Sequence, residues 1–543
     1  MTDACSVPPG SSNGLSNGGL PSTANDWDVV PPTSERKRRT LVLCFDGTGD
    51  QFDSDNSNVI LFFSMLMKDN PEEQMVYYQS GIGTYTIPQI ATPLYAGVSK
   101  ALDEMIAWNL NAHVMGGYEF LMSNYRANDK ICLFGFSRGA YTARALAGMI
   151  HKVGLLPRSN HQQVPFAYHM FTRDDEWGWT QSRDFKKTFS MDVDIDFIGV
   201  WDTVCSVGLI PHTLPFTSSN SAIKTFRHAL SLDEHRAKFK ANHYQWPTAD
   251  ELSRGVLPGE MPKAGQRGAA KKDARSRPSL GSNKRLSSKE EEEHEQAFSA
   301  QDAHNGKTDV LEVWFPGCHC GASSPPPPLV SADARRLLIL APTDVGGGSV
   351  SNTSRHNLAR IPLRWMIREC FRTDTGVRFH AQLLRNIGLD PAALLADPCA
   401  RAPAVYAAPG SPLLRVEARE EARAGGPEEA ALAEGGAHAR LSEEEEDLID
   451  ALCPIYDELK LAPAWWSLEV IPLAHRVRDK ARGWTQKWSV NWGRGREVPD
   501  QVDFFVHRSV DIRMRAGEDG LLHGGKYKPN AVFEKHQKMV FVD

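Results

Sequence analysis

A serine in the segment Gly135-Phe-Ser-Arg-Gly139 lies where a strand-like run gives way to a helical one. In a Gly-x-Ser-x-Gly motif this context places the serine hydroxyl on a sharp turn above the edge of a sheet. A serine becomes a nucleophile only when a base takes its proton, and that base needs a carboxylate to fix its tautomer. Asp202 and His319 follow Ser137 in the order Ser, Asp, His, one of the known chain orders of such triads. The sequence therefore predicts a serine hydrolase with these three catalytic residues.

Neighbouring residues supply donors for a developing negative charge. The tetrahedral intermediate of ester hydrolysis carries an oxyanion, which backbone N–H groups stabilise. We expect one donor at the N–H of Arg138 and a second in the loop formed by Asp46, Gly47 and Thr48, where the glycine allows close approach. Asp46 itself is expected to organise this loop or to bind a substrate hydroxyl.

Two of the catalytic assignments have alternatives. His228 competes with His319 as the base, but it lies in a helical pattern rather than at the end of a strand, which favours a packing role. Asp202 could instead cap a helix that follows its strand. The placement of Ser137, Asp202 and His319 at three strand ends favours the triad.

Two further motifs indicate other chemistry more weakly. His319 lies between Cys318 and Cys320, but no second ligand pair follows at zinc-like spacing, so no metal is predicted. Residues 46–48 also resemble the haloacid-dehalogenase phosphatase motif, which needs a nucleophilic aspartate where this chain has Cys44. The predicted reaction needs no metal and no organic cofactor.

Alternating strand and helix patterns are expected to position these residues. The strand-like runs cover residues 40–45, 74–78, 130–134, 194–201 and 310–315, and helical patterns cover 58–68 and 101–125. Continuous apolar strands that alternate with helices predict an α/β-hydrolase-like fold with a mostly parallel central sheet covered by helices. Ligand sites in such sheets lie beyond the carboxyl ends of the strands, where Asp46, Ser137, Asp202 and His319 all fall.

Composition narrows the function classes. The 543 residues are 41% hydrophobic and 24% charged, as in a globular protein with a sizeable core. A net charge of −6 gives no basic footprint for nucleic acid, so we expect no nucleic-acid partner. We find no signal peptide and no apolar run of about 18 residues, and nine irregularly spaced cysteines favour reduced thiols. These features predict a cytoplasmic protein, with nuclear import through Arg36-Lys-Arg-Arg39 as an alternative.

Shifts in composition divide the chain. The predicted regions are a disordered tail (1–38), a hydrolase domain (39–380) with a disordered insertion (255–305), a low-complexity linker (400–440) and a C-terminal region (441–543). The C-terminal region begins with a capping-box helix from Ser442 to Leu459 and is rich in tryptophan. We predict that it is helical and packs on the hydrolase domain. Because Trp has an apolar body and a polar edge, peripheral membrane contact or a lid is the alternative.

Five ordered motifs together resemble a known family. They are Leu43-Cys-Phe-Asp-Gly-Thr-Gly49, Gly135-Phe-Ser-Arg-Gly-Ala140, Gly199-Val-Trp-Asp-Thr-Val204, Arg227-His-Ala-Leu-Ser-Leu-Asp-Glu234 and Val313-Trp-Phe-Pro-Gly-Cys-His319. Over about residues 39–370 the chain resembles the α/β-hydrolase domain of type VI secretion phospholipase effectors, and more closely its uncharacterised fungal relatives. The resemblance implies Ser137, Asp202 and His319 as the triad, acting on phospholipids or other carboxylic esters.

One segment departs from the family pattern. In the family the histidine is followed almost at once by Asp-Val-Gly-Gly-Gly, which here begins only at Asp344, after residues 321–343. The codon of Gly321 permits an intron-like GT start, the codons of Thr343 and Asp344 together permit an AG end, and removal of the segment keeps the frame. We therefore interpret 321–343 as a retained or mis-annotated intron and expect the chain as written to be less active than the shorter form. A genuine polyproline loop that binds a partner is the alternative.

A non-catalytic function is the rival class. In that interpretation the disrupted loop after His319 impairs catalysis, and the hydrolase fold acts as a scaffold through its charged insertions.

Overall fold

A computed structural model describes most of the predicted hydrolase domain and of the predicted C-terminal region. The described residues are 28–32, 38–48, 50–52, 55–81, 95–173, 175–204, 214–217, 220, 222–244, 308–319, 344–347, 355–407, 441–461, 463–479, 483–499, 503–522 and 525–543. Most of the predicted disordered tail, the insertion at 255–305, most of the linker and the segment 321–343 lie outside these ranges, whereas Val29 and Val30 of that tail form a short strand.

Eight parallel strands form one central sheet. Its strands are β2 (Thr40–Phe45), β3 (Gln74–Gln79), β4 (Lys130–Phe136), β5 (Ile195–Trp201), β6 (Ile223–Ser231), β7 (Asp309–Phe315), β11 (Asp503–His507) and β12 (Lys538–Val542). Their order across the sheet is β12-β11-β7-β6-β5-β4-β2-β3, and every neighbouring pair is parallel. The predicted α/β class with a parallel sheet is confirmed.

Two small antiparallel pairs complete the described strands. They are β1 (Val29–Val30) with β8 (Phe379–His380), and β9 (Leu473–Asp479) with β10 (Gly483–Ser489).

Helices cover the sheet. They are α1 (Asn58–Met65), α2 (Tyr95–Asn124), α3 (Ser137–Val153), α4 (Val164–Thr172), α5 (Glu176–Phe189), α6 (Arg360–Arg372), α7 (Ala381–Asn386), α8 (Pro391–Ala396), α9 (Glu443–Leu452), α10 (Glu458–Leu461), α11 (Trp466–Glu469) and α12 (Ser509–Glu518). None of these described helices is both long and apolar enough to cross a bilayer.

Each face of the sheet has its own hydrophobic core. All six residues of β2 are buried, and successive side chains point to opposite faces, as strand geometry requires. Leu41 packs in the core under α2 to α5, whereas Val42 packs in the core under α1, α6 and α9. Burial of an aliphatic side chain of this size contributes about 2 kcal/mol. The doubly buried strands therefore hold their carboxyl ends, and the loops that follow, in fixed places.

The C-terminal region contributes more than helices. The region was predicted to be helical, and it contains helices α9 to α12. The predicted capping box at Ser442 is present. Its strands β11 and β12 were not predicted, although they extend the central sheet beyond β7. The helix predicted to reach Leu459 ends at Leu452, because Pro454 disfavours helical backbone at the preceding Cys453, whose ψ is 153°.

The predicted helix around His228 is wrong. His228 lies in β6, a central strand of the sheet, and residues 226–231 are buried throughout. A strand buried on both faces lacks the polar–apolar alternation that marks a strand in sequence, which explains the error.

Candidate active site

Ser137 stands on the turn between β4 and α3, as the first residue of that helix. Its φ of +56° is a left-handed conformation that is strained for a residue with a side chain. A Cβ on Gly135 would lie 2.6 Å from the carbonyl oxygen of Gly139, and a Cβ on Gly139 would lie 2.3 Å from that of Phe45. Any side chain at these two positions would push β2, β4 and α3 apart. The glycines therefore permit the turn that places Ser137 at the carboxyl end of the sheet.

Asp202 follows β5 and is fully buried. It also has a positive φ, +46°. Its carboxylate accepts hydrogen bonds from the Ser231 N–H at 2.9 Å and the Ser231 hydroxyl at 2.8 Å. Burial alone would raise the pKa of Asp202, but the charge of Arg496 and the hydrogen bond from His319 lower it well below its usual range. Asp202 is therefore an ionised acceptor.

His319 follows β7 and lies between Asp202 and Ser137. Its Nδ1 is hydrogen-bonded to Asp202 Oδ2, and its Nε2 lies 2.8 Å from Ser137 Oγ. Because a carboxylate only accepts, Nδ1 carries the proton and Nε2 is left to accept from the serine. The rings of Phe136 and Phe239 flank the imidazole, with centroids 5.0 and 4.8 Å away. Burial lowers the pKa of His319 despite the opposing effect of Asp202, so the imidazole is a neutral base.

Carboxyl groups outside the triad hold the backbone of residues 317–319, the histidine loop. Asp233 accepts from the N–H of Gly317 at 2.7 Å, and Glu234 accepts from the N–H of His319 at 3.1 Å. Asp344 accepts from the N–H of Cys318 at 2.8 Å. The residues just before the segment 321–343 and the residue just after it are thus in direct contact.

The loop after β2 lies against the turn that carries Ser137. Asp46 is buried and accepts hydrogen bonds from the hydroxyls of Ser57 (2.6 Å) and Tyr78 (2.8 Å) and from the N–H of Gly47 (2.8 Å). A Cβ on Gly47 would lie 2.6 Å from the Phe136 ring, next to Ser137. These contacts fit the first of the two roles predicted for Asp46, to organise the loop; binding of a substrate hydroxyl stays a prediction.

Two potential donors for a substrate oxygen lie at this end of the sheet. Arg138 is the second residue of α3 and carries one of the N–H groups that a helix directs beyond its own N-terminus. The Thr48 hydroxyl is buried and has no hydrogen-bond partner among the described residues. A buried polar group without a protein partner is suited to a ligand.

A comparison against protein families identifies the domain that carries this site. The model of the phospholipase effector Tle1-like catalytic domain of the type VI secretion system matches residues 39–369. The chain belongs to this family. Membership in the Tle1-like family supports a lipid-hydrolysing function in general terms.

Relatives extend the comparison. The uncharacterized protein YEL023C of Saccharomyces cerevisiae is 27% identical over 593 residues, covering 91% of this chain and 81% of the yeast protein. The crystal structure of an uncharacterized protein from Pseudomonas aeruginosa superposes with a TM-score of 0.32 and a sequence identity of 16%. The match covers 66% of this chain and 48% of the Pseudomonas chain. The chain thus spans about half the length of that protein. The Tle1 effector, solved bound to the VgrG spike, is 14% identical with a TM-score of 0.31, over 71% of this chain and 86% of its own.

His228, the rival base, has other partners in this Tle1-like domain. Its Nδ1 lies 2.7 Å from Glu312 Oε1, and its Nε2 accepts from the N–H of Thr203 at 3.0 Å. Burial lowers the pKa of His228, although Glu312 opposes this shift. Both nitrogens are therefore engaged, Nε2 with the backbone immediately after Asp202 and Nδ1 with the Glu312 carboxylate.

One group among the described residues has the composition of a metal site. His356, Glu446 and Asp450 offer ligand atoms within 4.8 Å of one another. The two carboxylates already pair with guanidinium groups, Glu446 with Arg355 at 3.0 Å and Asp450 with Arg364 at 2.6 Å. These ion pairs supply the positive charge that a metal would bring.

Sequence reasoning missed the residues that hold the triad from outside. Glu234 and Ser231 lay within a quoted motif, but their contacts to His319 and Asp202 were not foreseen. Arg496 was not singled out, because a basic side chain in a Gly-Arg-Gly-Arg loop has no periodic or motif signal that points to a strand end 294 residues earlier.

Proposed function

We propose that the protein is a serine hydrolase that cleaves carboxylic esters of lipids, phospholipids among them. Ser137 is the nucleophile, His319 the general base and Asp202 the group that orients His319. The observation that carries this proposal is the 2.8 Å contact from Ser137 Oγ to an imidazole whose other nitrogen is held by a buried carboxylate. Family membership supports the lipid class.

The reaction follows from these contacts. His319 Nε2 takes the hydroxyl proton as Ser137 Oγ bonds to the ester carbonyl carbon, and the N–H of Arg138 with the loop at 46–48 stabilises the oxyanion. The carbonyl re-forms, the C–O bond to the alcohol breaks, and the alcohol leaves with the proton from His319. Water then gives a proton to His319 as its oxygen bonds to the acyl carbon. The bond from that carbon to Ser137 Oγ breaks, His319 returns the proton to Oγ, and the carboxylic acid leaves. No cofactor takes part in these steps.

Apolar side chains near the surface suit a lipid substrate. Trp466, Trp488 and Trp492 are 42%, 60% and 67% exposed, and Val470 and Ile471 are exposed with them. We propose that these side chains make peripheral contact with a lipid surface, because Trp prefers the boundary between apolar and aqueous phases. Flotation with phosphatidylcholine vesicles tests this. We expect Trp488→Ser and Trp492→Ser together to reduce bound protein, and undiminished binding contradicts the proposal.

Hydrolysis of a defined ester series tests the function. We expect the purified full chain to release fatty acid from phosphatidylcholine or from p-nitrophenyl esters, and Ser137→Ala to abolish release. Ser182→Ala is the matched control, because Ser182 is also a buried helical serine, but within the described part of the chain its hydroxyl bonds to the carbonyls of Met170 and Gly178 alone. Absence of turnover by folded wild type on every ester, or turnover that survives Ser137→Ala, would support the non-catalytic scaffold instead.

A further inference from the structure

Arg496 forms the most extensive contacts with the triad acid of any described residue outside the triad. Its side chain is 2% exposed, and its two terminal nitrogens meet the two carboxylate oxygens of Asp202, Nη1 to Oδ1 at 2.5 Å and Nη2 to Oδ2 at 2.8 Å. This two-pronged pairing fixes the plane of the carboxylate as well as its position. Asp202 Oδ2 is thereby held toward His319 Nδ1.

The same guanidinium fixes two neighbours of the triad. Nη1 donates to the Ser231 hydroxyl at 2.6 Å, and that hydroxyl donates to Asp202. Nε and Nη2 donate to the carbonyl of Phe239 at 2.9 and 2.5 Å. Since the Phe239 ring packs on His319, Arg496 restrains the histidine from a second side.

The backbone around Arg496 is itself held in place. Its carbonyl accepts from the N–H of Val532 at 2.8 Å, and the N–H of Val498 donates to the carbonyl of Val532 at 2.9 Å. A Cβ on Gly495 would lie 1.8 Å from the carbonyl oxygen of Asn530, so only glycine lets the two segments approach. The C-terminal region thus presents Arg496 on a fixed support.

The permanent positive charge of Arg496 also affects the protonation of His319. The charged groups that face His319 are Asp202 and Glu234, which favour its protonation, and Arg496, which opposes it. Arg236 neutralises Glu234 through an ion pair at 2.8 Å. Lys240 lies close to Arg496, and burial together with that charge lowers the pKa of Lys240 to about 8. Removal of Arg496 leaves Asp202 free to stabilise the imidazolium more strongly.

We propose that Arg496 is a positioning residue of the hydrolase site, which holds the Asp202 carboxylate in the plane that orients His319. It lies outside residues 39–369, so the C-terminal region completes a site that the matched catalytic domain does not contain by itself. This inference rests on the proposed hydrolase function.

Arg496→Met and Arg496→Lys in the full chain test the inference, with turnover expressed per active site titrated by a fluorophosphonate. For Arg496→Met we expect kcat to fall by about 100-fold with little change in KM, as for a misplaced catalytic group. The acid limb of its pH–rate profile should move to higher pH. Arg496→Lys keeps the charge but loses the fork, so kcat should fall by about 10-fold while the acid limb stays in place.

Arg494→Met is the matched control. Arg494 lies two residues away in the same loop, is 60% exposed and pairs only with the equally exposed Glu497 among the ion pairs described. We expect wild-type kcat and pH profile from it. Two results overturn the inference while the hydrolase function stands. One is a wild-type kcat per active site in Arg496→Lys, and the other is an unshifted acid limb of the pH–rate profile in folded Arg496→Met. If Arg496→Met does not fold, Arg496→Lys decides. Absence of Ser137-dependent turnover in the wild type overturns the proposed function and this inference with it.

Discussion

The turn that carries Ser137 (residues 135–139) and the loop that carries His319 (residues 317–319) hold members of the proposed triad by different physical means. Around Ser137 the restraint is steric and mostly local, because Gly135 and Gly139 let a strand, a helix and β2 meet within van der Waals distance. Around His319 the restraint is polar and comes from residues distant in sequence. The side chains of Asp233, Glu234 and Asp344, the last of which follows the segment 321–343, accept hydrogen bonds from the backbone of residues 317–319. A local steric turn can be recognised in a sequence, whereas a set of buried carboxylates cannot.

The largest effect on turnover should come from the steric restraint around Ser137. Gly139→Ala places a methyl group 2.3 Å from two backbone carbonyl oxygens that cannot move without β2. We expect about 2 kcal/mol of lost stability from overpacking and a fall in kcat on the order of 100-fold. Urea unfolding and ester turnover measure the two quantities. Gly520→Ala is the control, since its φ is +73° but the space around it is open. It should cost about 1 kcal/mol and leave turnover unchanged.

The polar side should depend on pH, first through Glu234. Burial alone would raise its pKa, but the charge of Arg236 lowers it to about 2, below the ordinary 4.5. A depressed carboxyl pKa contributes stability that is fully present above pH 4.5 and is lost as the pH falls toward 2. We expect Glu234→Gln to cost about 3 kcal/mol at pH 7 and much less near pH 2. Equal destabilisation at both pH values would contradict the assignment.

Asp344 should behave in the opposite way. Burial raises its pKa to about 8, so the folded protein binds this proton more tightly than the unfolded chain, and its contribution to stability falls as the pH rises from 3.8 to 8. Asp344→Asn keeps an acceptor for the N–H groups of Cys318 and Tyr456 but has no charge to bury. We expect this variant to match wild type near pH 4 and to be the more stable protein at pH 8. Thermal unfolding at the two pH values checks this, and a less stable variant at pH 8 would refute it.

The smallest expected effect on turnover comes from removal of residues 321–343. We predict that the chain without residues 321–343 turns over esters faster than the chain as written. The gain should be only a few-fold, because residues 317–319 are anchored independently of that segment and a shift well below 1 Å costs much less than 100-fold. Equal turnover by the two purified forms would refute the activity difference. Transcript sequencing across the junction tests the intron interpretation, which fails if every transcript encodes Pro325–Pro328.

The comparison also explains what the sequence could predict. Asp46, Ser137, Asp202 and His319 each follow a parallel strand, so all four lie at the carboxyl edge of the sheet. Apolar runs that end in glycine-containing turns are enough to predict this placement from the sequence. His228 was assigned to a helix because a doubly buried strand shows no alternation. Strands β11 and β12 escaped notice because they lie more than 180 residues beyond the sheet strand they extend, after a low-complexity stretch. Arg496 was missed for the same reason, since only tertiary contacts bring it to Asp202.

The central claim is that His319 and Asp202 make Ser137 a nucleophile. Fluorophosphonate labelling of the full chain, followed by mass spectrometry of the peptide that carries the label, tests it most directly. We predict a single covalent adduct on Ser137, lost in Ser137→Ala and formed much more slowly in His319→Gln, while Ser182→Ala labels like wild type. A folded protein that takes up no label, or that carries it on a serine other than Ser137, would contradict the account.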